Sequence, residues 1–339
     1  MRLILLPCDP TRAGGYNRVA SNDLARLEQR ATDEVICFIE SGFPPPNGFR
    51  WICRPPKGSG RKLLNLFLGR ALSEVWAHQL KSELCSRRYD GIFCGDVIFY
   101  RALRRMFPSQ TMTVRFHNFF TLSDIRRRSR RYPIDTHFRL TLSRTSALER
   151  EICTDKLVHP IFINPEEQRC FNLIWPSRRS ELWGVNVSQS STVFTPRKAQ
   201  LIYFGGTGSH QKFGLRYFID SVFRPLSRRH AGLEFHLWGD GTKVFEDSSN
   251  RVYGHGFWNG EGLPHGGDGL FVIPDLLGGG IKVKTGDRLR DGSAFITTPF
   301  GAEGYSITPR VGRFVQEMEA WEKTIEVYFS ELNLLHSPL

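Results

Sequence analysis

A glycine-rich segment in the second half of the chain carries residue types that could bind a phosphate. Gly278, Gly279 and Gly280 precede an amphipathic stretch, with Ile281 and Lys282 directly after them. Because glycine has no Cβ, backbone amides there can close directly on a phosphate, and a helix N-terminus adds partial positive charge. Lys282 adds a full positive charge beside the loop. We therefore predict that this segment binds phosphate.

Asp287 lies about two helical turns beyond the glycines, where its carboxylate could accept hydrogen bonds from a ribose on the same helix face. A simpler interpretation is also open, in which a glycine loop begins an ordinary helix and the lysines lie in solvent. A hydrophobic strand and the segment Pro299-Phe-Gly-Ala-Glu-Gly follow the helix and favour the phosphate interpretation.

The first half of the chain alternates short apolar runs with helix-length amphipathic stretches. Residues 2–6 form the first predicted strand, Gly14 and Gly15 lie in the loop after it, and residues 16–31 form the first predicted helix. Further strand-like runs begin at residues 34, 91 and 111. Short buried strands separated by helices are typical of a parallel sheet covered on both faces, so this half is predicted to be doubly wound.

The same alternation restarts in the second half. Polar, turn-rich sequence over residues 185–198 separates the two halves. We predict an α/β protein with two Rossmann-like doubly wound domains, residues 1–190 and 191–339, that face each other across a ligand-sized cleft. Ligands of such sheets bind outside the carboxyl ends of the strands. In the second half, strands are predicted at 199–206, 233–241, 250–256, 269–274 and 294–298, and helices at 213–230, 282–290 and 312–335.

The charge surplus is confined to the first half. The 339 residues include 46 basic and 34 acidic side chains, a net charge of +12, and residues 1–190 hold 30 of the basic and 18 of the acidic ones. Residues 191–339 hold 16 of each. A surplus in one half points to an anionic partner for that half, either nucleic acid or the anionic face of a membrane.

Cysteine usage and hydropathy bear on location. The seven cysteines form an odd set without a C-x-x-C pair or metal-ligand spacing, which predicts reduced thiols in a cytoplasmic protein and no structural zinc. The opening apolar run stops at Pro7, too short for a signal peptide, and no stretch approaches the ~18 apolar residues of a spanning helix. Any membrane contact is therefore predicted to be peripheral.

The run from Asp268 to Tyr305 resembles glycosyltransferases of the two-Rossmann GT-B architecture, specifically the retaining family 4 type. It contains a strand ending Val-Ile-Pro, the helix start Gly-Gly-Gly-Ile-Lys-Val-Lys, Gly292 before a hydrophobic strand, and then Thr-Pro-Phe-Gly-Ala-Glu-Gly-Tyr. Members of that family usually carry two glutamates eight positions apart around this helix, and Gly279 and Asp287 occupy those positions here. The resemblance touches most of the chain and is specific mainly over residues 200–305.

The resemblance implies roles for residues in both halves. Gly206 and Lys212 belong to a glycine turn and basic helix start that hold the diphosphate, and His255 belongs to the strand that reaches the nucleotide base. His117, at a strand end, would meet the donor sugar. A solvated lysine and hydrogen-bonded loop histidines are the structural alternatives. The implied donor-binding residues are Gly14, Gly15, Gly206, His255, Gly279, Gly280, Ile281 and Asp287, and the implied catalytic residues are His117, Lys282 and Lys212.

The implied reaction transfers a sugar from a nucleotide-diphosphate sugar to an acceptor hydroxyl with the anomeric configuration retained. Loop amides, the helix dipole and the lysines would stabilise the departing diphosphate, each preorganised donor being worth ~3 kcal/mol in a dry site. No D-x-D motif stands at a strand end, so no metal and no other cofactor is predicted. The leaving phosphate is implied to take the acceptor proton, so no carboxylate nucleophile is needed.

The first domain would bind the acceptor, a lipid-linked, lipopolysaccharide, capsule or exopolysaccharide hydroxyl. Arg126, Arg127 and Arg128 are predicted to rest on anionic lipid at the inner face of the cell membrane, and Arg18 to reach a phosphate or the acceptor. A solvated helix face is the alternative for all four. The fold prediction also includes a C-terminal helix that can cross back to the first domain.

Three other functions stay open. The net charge and the arginine run allow a nucleic-acid-binding protein, but no recognised nucleic-acid module is present, so no nucleic-acid partner is predicted. A Rossmann oxidoreductase would need a G-x-G-x-x-G after the first strand, which is lacking. An inactive GT-B scaffold is consistent with the absence of a glutamate at position 279.

Overall fold

The computed structural model describes residues 1–11, 15–28, 32–40, 49–54, 74–84, 87–130, 136–185, 187–258, 262–307, 312–315 and 320–335. The chain divides into two compact units, Met1–Val185 and Asn186–Leu339. Each unit is built around one sheet in which every strand pairing is parallel.

The first unit has a seven-stranded sheet. Its strands are β1 (Arg2–Leu6), β2 (Glu34–Glu40), β3 (Arg50–Arg54), β4 (Gly91–Cys94), β5 (Met112–Phe116), β6 (Val158–Phe162) and β7 (Glu181–Leu182). Its helices are α1 (Gly15–Arg26), α2 (Glu74–Leu84), α3 (Tyr100–Met106), α4 (Phe120–Arg130), α5 (Thr136–Thr154) and α6 (Pro165–Ile174), with a 3₁₀ turn at Val97–Phe99. The strand order is β3-β2-β1-β4-β5-β6-β7.

The second unit has a six-stranded sheet. Its strands are β8 (Gln200–Phe204), β9 (Glu234–Trp238), β10 (Val252–Gly256), β11 (Leu270–Ile273), β12 (Phe295–Thr297) and β13 (Gly312–Phe314), in the order β10-β9-β8-β11-β12-β13. Its helices are α7 (Ser209–Phe218), α8 (Arg224–Arg229), α9 (Val283–Asp291) and α10 (Ala320–Glu331). A π-helical turn, Ile219–Phe223, joins α7 to α8, and 3₁₀ turns lie at Thr242–Phe245, Ser248–Asn250 and Pro264–Gly267.

Both faces of each sheet are covered, which confirms the doubly wound prediction. In β1, Leu3 and Leu5 belong to one apolar core, and Ile4 and Leu6 belong to the core on the opposite face. Since successive strand residues point to opposite faces, a strand buried on both sides is apolar at every position. In both units the strand order reverses at the first strand, β1 beside β4 and β8 beside β11, which is where ligands of such sheets bind.

The predicted helix over 312–335 is wrong in its first part. Residues Gly312–Phe314 form β13, which pairs with β12, and the helix begins at Ala320. The apolar face of α10, made of Trp321, Ile325 and Phe329, is fully buried in a core of the second unit. This apolar face is therefore used within the second unit, and the crossing of the helix back to the first domain stays a prediction.

The predicted helix over 213–230 is longer and interrupted. It begins at Ser209. Its backbone hydrogen bonding changes from the α-helical to the π-helical pattern at Ile219, before α8 starts. Pro225 has no amide hydrogen, so the regular i→i−4 ladder cannot pass through it. The interruption between α7 and α8 thus follows from Pro225.

Gly214→Ala in α7 is expected to lower the free energy of unfolding by about 1–3 kcal/mol through overpacking. A Cβ at Gly214 would lie 2.1 Å from the carbonyl oxygen of Pro274, which is backbone and cannot rotate away. Alanine favours a helix intrinsically, so a loss of stability would show that the clash dominates. Urea unfolding measures the change, with Gly232→Ala as control because no atom in the described part of the chain lies within 4 Å of its Cβ position. Equal stability of both variants would contradict the close approach of α7 to the strand end.

Candidate functional site

The carboxyl ends of β8 and β11 form the part of the second unit where the sequence predicts phosphate binding. Gly205 and Gly206 follow β8, and the Gly205 amide donates to the Trp238 carbonyl across a distance of 2.8 Å. Gly239 has φ +133°, and a Cβ there would lie 2.1 Å from the Gly205 carbonyl oxygen. Only glycine permits this approach, so the turns after β8 and β9 pack backbone to backbone.

The glycine loop follows β11 and leads into α9. Gly278 and Gly280 have φ values of +120° and +63°, a conformation that side-chain-bearing residues rarely adopt. Lys282 occupies the N-cap position of α9, and its side chain makes no capping hydrogen bond to the described residues of that helix. The first turn of any helix has amides without intrahelical acceptors. The start of α9 therefore has the backbone geometry and dipole of an anion site.

Lys282 is buried at the start of α9, where it is 6% exposed. Its Nζ donates to the carbonyl oxygens of Gly279 at 3.0 Å and Gly280 at 3.2 Å, and lies 4.0 Å from the ring centre of Phe300. The ammonium group folds back over the glycine loop, so its charge is held in place by that loop. The sequence prediction placed this lysine beside the loop, and the structure brings the two together.

Sequence reasoning missed Lys284, two residues further along. Its Nζ donates to Asp275 Oδ1 at 2.9 Å and to the Tyr203 hydroxyl at 3.2 Å. Burial lowers the pKa of Lys284, but the Asp275 carboxylate and the Tyr203 side chain together outweigh it and hold this pKa above its usual value. Asp275 is 2% exposed, and its Oδ2 is buried without a hydrogen-bond partner in the described part of the chain. An acidic residue directly after a predicted strand was the only sequence signal for this pair.

The other residues predicted to bind the donor in the second unit lie in or just before α7 and α9. Gly206 is exposed, with no atom of the described residues within 4 Å of its Cβ position, and Ile281 is half-buried. Lys212 is exposed on α7, and its amide donates to Gly208. Asp287 is half-buried on α9, and its Oδ1 accepts a 2.7 Å hydrogen bond from Arg290. Their roles in donor binding stay predictions.

His255 lies in a cluster of aromatic rings on β9 and β10. Its ring stacks on Trp238 with centroids 4.0 Å apart, and its Nε2 lies 3.0 Å from His236 Nδ1. His265 completes a group of three histidines. Burial lowers the pKa of His255, and the proximity of His265 lowers it further. The ring is thus engaged with protein groups, as the structural alternative for this histidine has it, but its partners His236 and His265 were not predicted.

In the first unit, His117 follows β5, and its Nε2 lies 2.8 Å from the carbonyl oxygen of Gly95 after β4. A Cβ at Gly95 would lie 2.4 Å from the Leu5 carbonyl oxygen, so the ends of β1, β4 and β5 meet closely. Burial, with a further contribution from Arg115, lowers the pKa of His117 to about 3. The imidazole is therefore neutral at neutral pH and suited to hydrogen bonding rather than to carrying charge.

Stability should fall in acid because of His117. The unfolded chain takes up a proton on this residue below a pH of about 6.5, whereas the folded protein resists protonation down to about pH 3. The contribution of neutral His117 to the free energy of unfolding is complete above pH 6.5 and falls as the pH is lowered toward 3. At pH 5 the loss is about 2 kcal/mol. Urea unfolding of the protein and of His117→Gln at pH 8 and pH 5 measures it. A parallel loss of stability in both proteins would contradict the burial of a neutral imidazole.

Two of the three residues predicted to bind a phosphate or the acceptor near the first strand belong to α1. Gly14 lies outside the described residues, Gly15 is the first residue of α1, and Arg18 is half-buried on that helix.

The arginine run lies on α4. Arg127 and Arg128 both form ion pairs with Asp124 at 2.8 Å, and Arg126 is half-buried. Buried Glu149 on α5 holds the start of α4, since its carboxylate accepts from the amides of residues 120 and 121 at 2.7 and 2.8 Å. Sequence reasoning missed this capping glutamate.

The chain has two doubly wound parallel α/β units. In the second unit, a glycine loop and the start of a helix lie where the strand order reverses. These features are those of the GT-B class of protein. The chain has the GT-B glycosyltransferase fold, as predicted. The sequence matches no protein-family model, and no curated protein is significantly similar to it.

Solved structures are similar to this chain over nearly its whole length. HepE of Anabaena, in complex with UDP, aligns with a TM-score of 0.56 at 12% identity, over 98% of this chain and 90% of HepE. Os79 of O. sativa, in complex with UDP, aligns with a TM-score of 0.55 at 13% identity, over 98% and 91%. WaaG, a glycosyltransferase involved in lipopolysaccharide biosynthesis, aligns with a TM-score of 0.53 at 14% identity, over 98% and 92%. At these identities the similarity shows the fold.

Proposed function

We propose that the protein is a glycosyltransferase that moves a sugar from a nucleotide-diphosphate sugar to an acceptor hydroxyl, with retention, in the manner of family 4. The observation that carries this proposal is the start of α9. In a chain with the GT-B fold, two left-handed glycines and a buried lysine lie at the carboxyl end of β11, where the strand order reverses.

The diphosphate would bind at the glycine loop. Charge builds on the leaving phosphate during transfer, and preorganised donors stabilise it without reorganising. The fixed ammonium group of Lys282 and the dipole of α9 supply positive charge at this place. We propose that Lys212, Gly206 and Asp287 contribute to donor binding and that His117 meets the donor sugar. No metal ion is assigned a part in the departure of the diphosphate, so adding Mg²⁺ or Mn²⁺ should leave the transfer rate unchanged.

The first unit is proposed to bind a lipid-linked or polysaccharide acceptor beside an anionic membrane. A groove of about 630 Å³ lies between α4 and α5, and its lining combines Arg128 and Arg150 with the apolar side chains Ile125 and Ile174. Leu173, next to this groove in sequence, is 75% exposed. Arginines beside exposed apolar groups suit an anionic bilayer surface. Within the described residues, no helix is long and apolar enough to cross a bilayer.

Flotation with liposomes tests the membrane proposal. The protein should float with vesicles that contain anionic lipid and stay at the bottom with neutral vesicles, and Arg128→Gln with Arg150→Gln should reduce flotation. Equal recovery in the soluble fraction with both lipid compositions would rule out the attachment.

Thermal denaturation with UDP, GDP, dTDP, CMP and ADP tests the donor proposal, and UDP comes first because HepE and Os79 were solved with it. A nucleotide at 100 times its dissociation constant should add about 2.7 kcal/mol of stability. Turnover of the matching nucleotide sugar then separates an active enzyme from an inactive scaffold, the alternative with which Gly279 in place of a glutamate is consistent. No shift with any of the five nucleotides would overturn the proposed function.

A further inference from the structure

Three histidines converge on one face of the second sheet. His236 lies on β9, His255 lies on the neighbouring edge strand β10, and His265 lies in the 3₁₀ turn Pro264–Gly267. One ring nitrogen from each lies within 4.8 Å of the other two. The pairing of β10 with β9 is irregular between Gly254 and Gly256, so His255 is the bulge residue. Bulges often redirect a side chain, and this one places a second imidazole beside the first.

Two of the three ring nitrogens have nearly the spacing of metal ligands. His236 Nδ1 and His255 Nε2 are 3.0 Å apart. Two ligands of a tetrahedral zinc ion, with bonds of about 2.0–2.1 Å, have their nitrogens about 3.3 Å apart. The His236–His255 pair reaches that spacing by moving apart a few tenths of an ångström, and the His265 nitrogen, within 4.8 Å of the other two, reaches it by closing at most about 1.5 Å. The Nε2 of His265 is buried and has no hydrogen-bond partner within the described residues.

A second set of contacts orients the imidazole of His236, the central histidine of the three. His236 Nε2 lies 3.1 Å from Glu234 Oε2, and the same oxygen accepts a 3.0 Å hydrogen bond from Gln200. Because Nε2 faces a carboxylate, it carries the proton, and Nδ1 presents a lone pair. Metal-binding histidines are usually held in this way by a carboxylate on the other ring nitrogen. The carboxylate also offsets part of the charge that a divalent cation would bring.

Aromatic rings stack on two of the three imidazoles, His255 and His236. Trp238 stacks on His255, and Tyr253 stacks on His236 with centroids 5.0 Å apart. Trp258 meets Trp238 edge-on at 4.8 Å. Rings packed in this way lose little conformational freedom on binding an ion, which favours affinity.

We propose that His236, His255 and His265 form a binding site for a divalent transition-metal ion, Zn²⁺ above all, with water as the fourth ligand. Imidazole nitrogens suit Zn²⁺, whereas Mg²⁺ and Ca²⁺ prefer oxygen ligands. The ion would fasten the Pro264–Gly267 turn to the edge of the sheet. The site gives the His255 side chain a role other than contact with the nucleotide base, and it is independent of the diphosphate site at α9.

Titration of the chelator-treated, full-length protein with Zn²⁺ by calorimetry, and with Co²⁺ by visible absorption, tests the site. One equivalent should bind, with the intense absorption of tetrahedral Co²⁺. Glu234→Gln should weaken binding about 10–100-fold, and His265→Gln by at least as much. His159→Gln, a surface histidine paired with Glu181 in the first unit, should bind like the unaltered protein.

The thermal midpoint of each metal-free variant shows whether it is folded, and only variants with an unchanged midpoint are compared. Zn²⁺ binding that survives His265→Gln unchanged, or no stoichiometric binding by the unaltered protein, would overturn the proposal. The nucleotide-induced shift is measured in the same samples. A protein that binds zinc but no nucleotide would refute the proposed transferase function and leave the metal site standing.

Discussion

Replacing Lys284 with methionine is expected to lower the free energy of unfolding by about 3–5 kcal/mol. The ammonium group is paired with the buried Asp275 carboxylate and bonded to the Tyr203 hydroxyl. Methionine fills similar space but leaves the carboxylate buried and without a compensating charge, and an unpaired buried charge is far costlier than the pair. Urea unfolding at neutral pH measures the loss.

Two further variants decide whether the charge pair is the cause. Lys212→Met removes an exposed lysine from α7 and should change stability by less than about 0.5 kcal/mol. Combining Lys284→Met with Asp275→Leu removes both charges and should recover most of the loss, because no charge is then buried alone. A loss below 1 kcal/mol in Lys284→Met would mean that the pair is solvated and not part of a closed core.

Replacing Lys282 with methionine is expected to reduce kcat/KM for sugar transfer by about 10²–10³-fold. Its Nζ binds the carbonyl oxygens of Gly279 and Gly280, so the side chain both supplies charge and holds the loop that would contact the diphosphate. Removing one preorganised donor from a site of developing negative charge has this order of effect. Steady-state kinetics with the nucleotide sugar found in the denaturation experiment measures it, together with the nucleotide-induced thermal shift.

Lys323→Met, an exposed lysine on α10, is the matched control and should keep full activity. The thermal shift is taken relative to each variant's own midpoint, so that a stability change is not mistaken for lost binding. An unchanged nucleotide shift and unchanged kcat/KM in Lys282→Met would refute the assignment of the diphosphate to the start of α9.

Most of the strands were predictable because their signal is local. The run Arg2–Leu6 is apolar at four successive positions, as burial on both sheet faces requires. The C-terminal region was predicted less well. The amphipathic pattern extends across 312–335, but Gly312–Phe314 pairs with β12, and the Val315 amide donates to the Thr297 carbonyl. Whether a short segment becomes helix or edge strand depends on a partner that local pattern does not contain.

In the candidate site too, local sequence predicted some features and left others undecided. Consecutive glycines before a helix predicted the loop at Gly278–Gly280, because left-handed backbone is a property of the residue type itself. Lys282 and Lys284 looked alike in the sequence. Lys282 is the N-cap residue, with extended backbone, whereas Lys284 lies inside the first turn of α9, so one lysine turns to the glycine loop and the other to Asp275 and Tyr203.

The sequence by itself determined the doubly wound architecture and the place of the glycine loop, since apolar periodicity and glycine act over a few residues. Only the tertiary structure decided which polar groups meet. Lys284 contacts Asp275 because the start of α9 lies against the end of β11, and His255 reaches His236 because the register between β10 and β9 shifts at that residue. His265 joins them from a separate turn. Such contacts depend on strand order and register, which arise from the packing of the whole sheet.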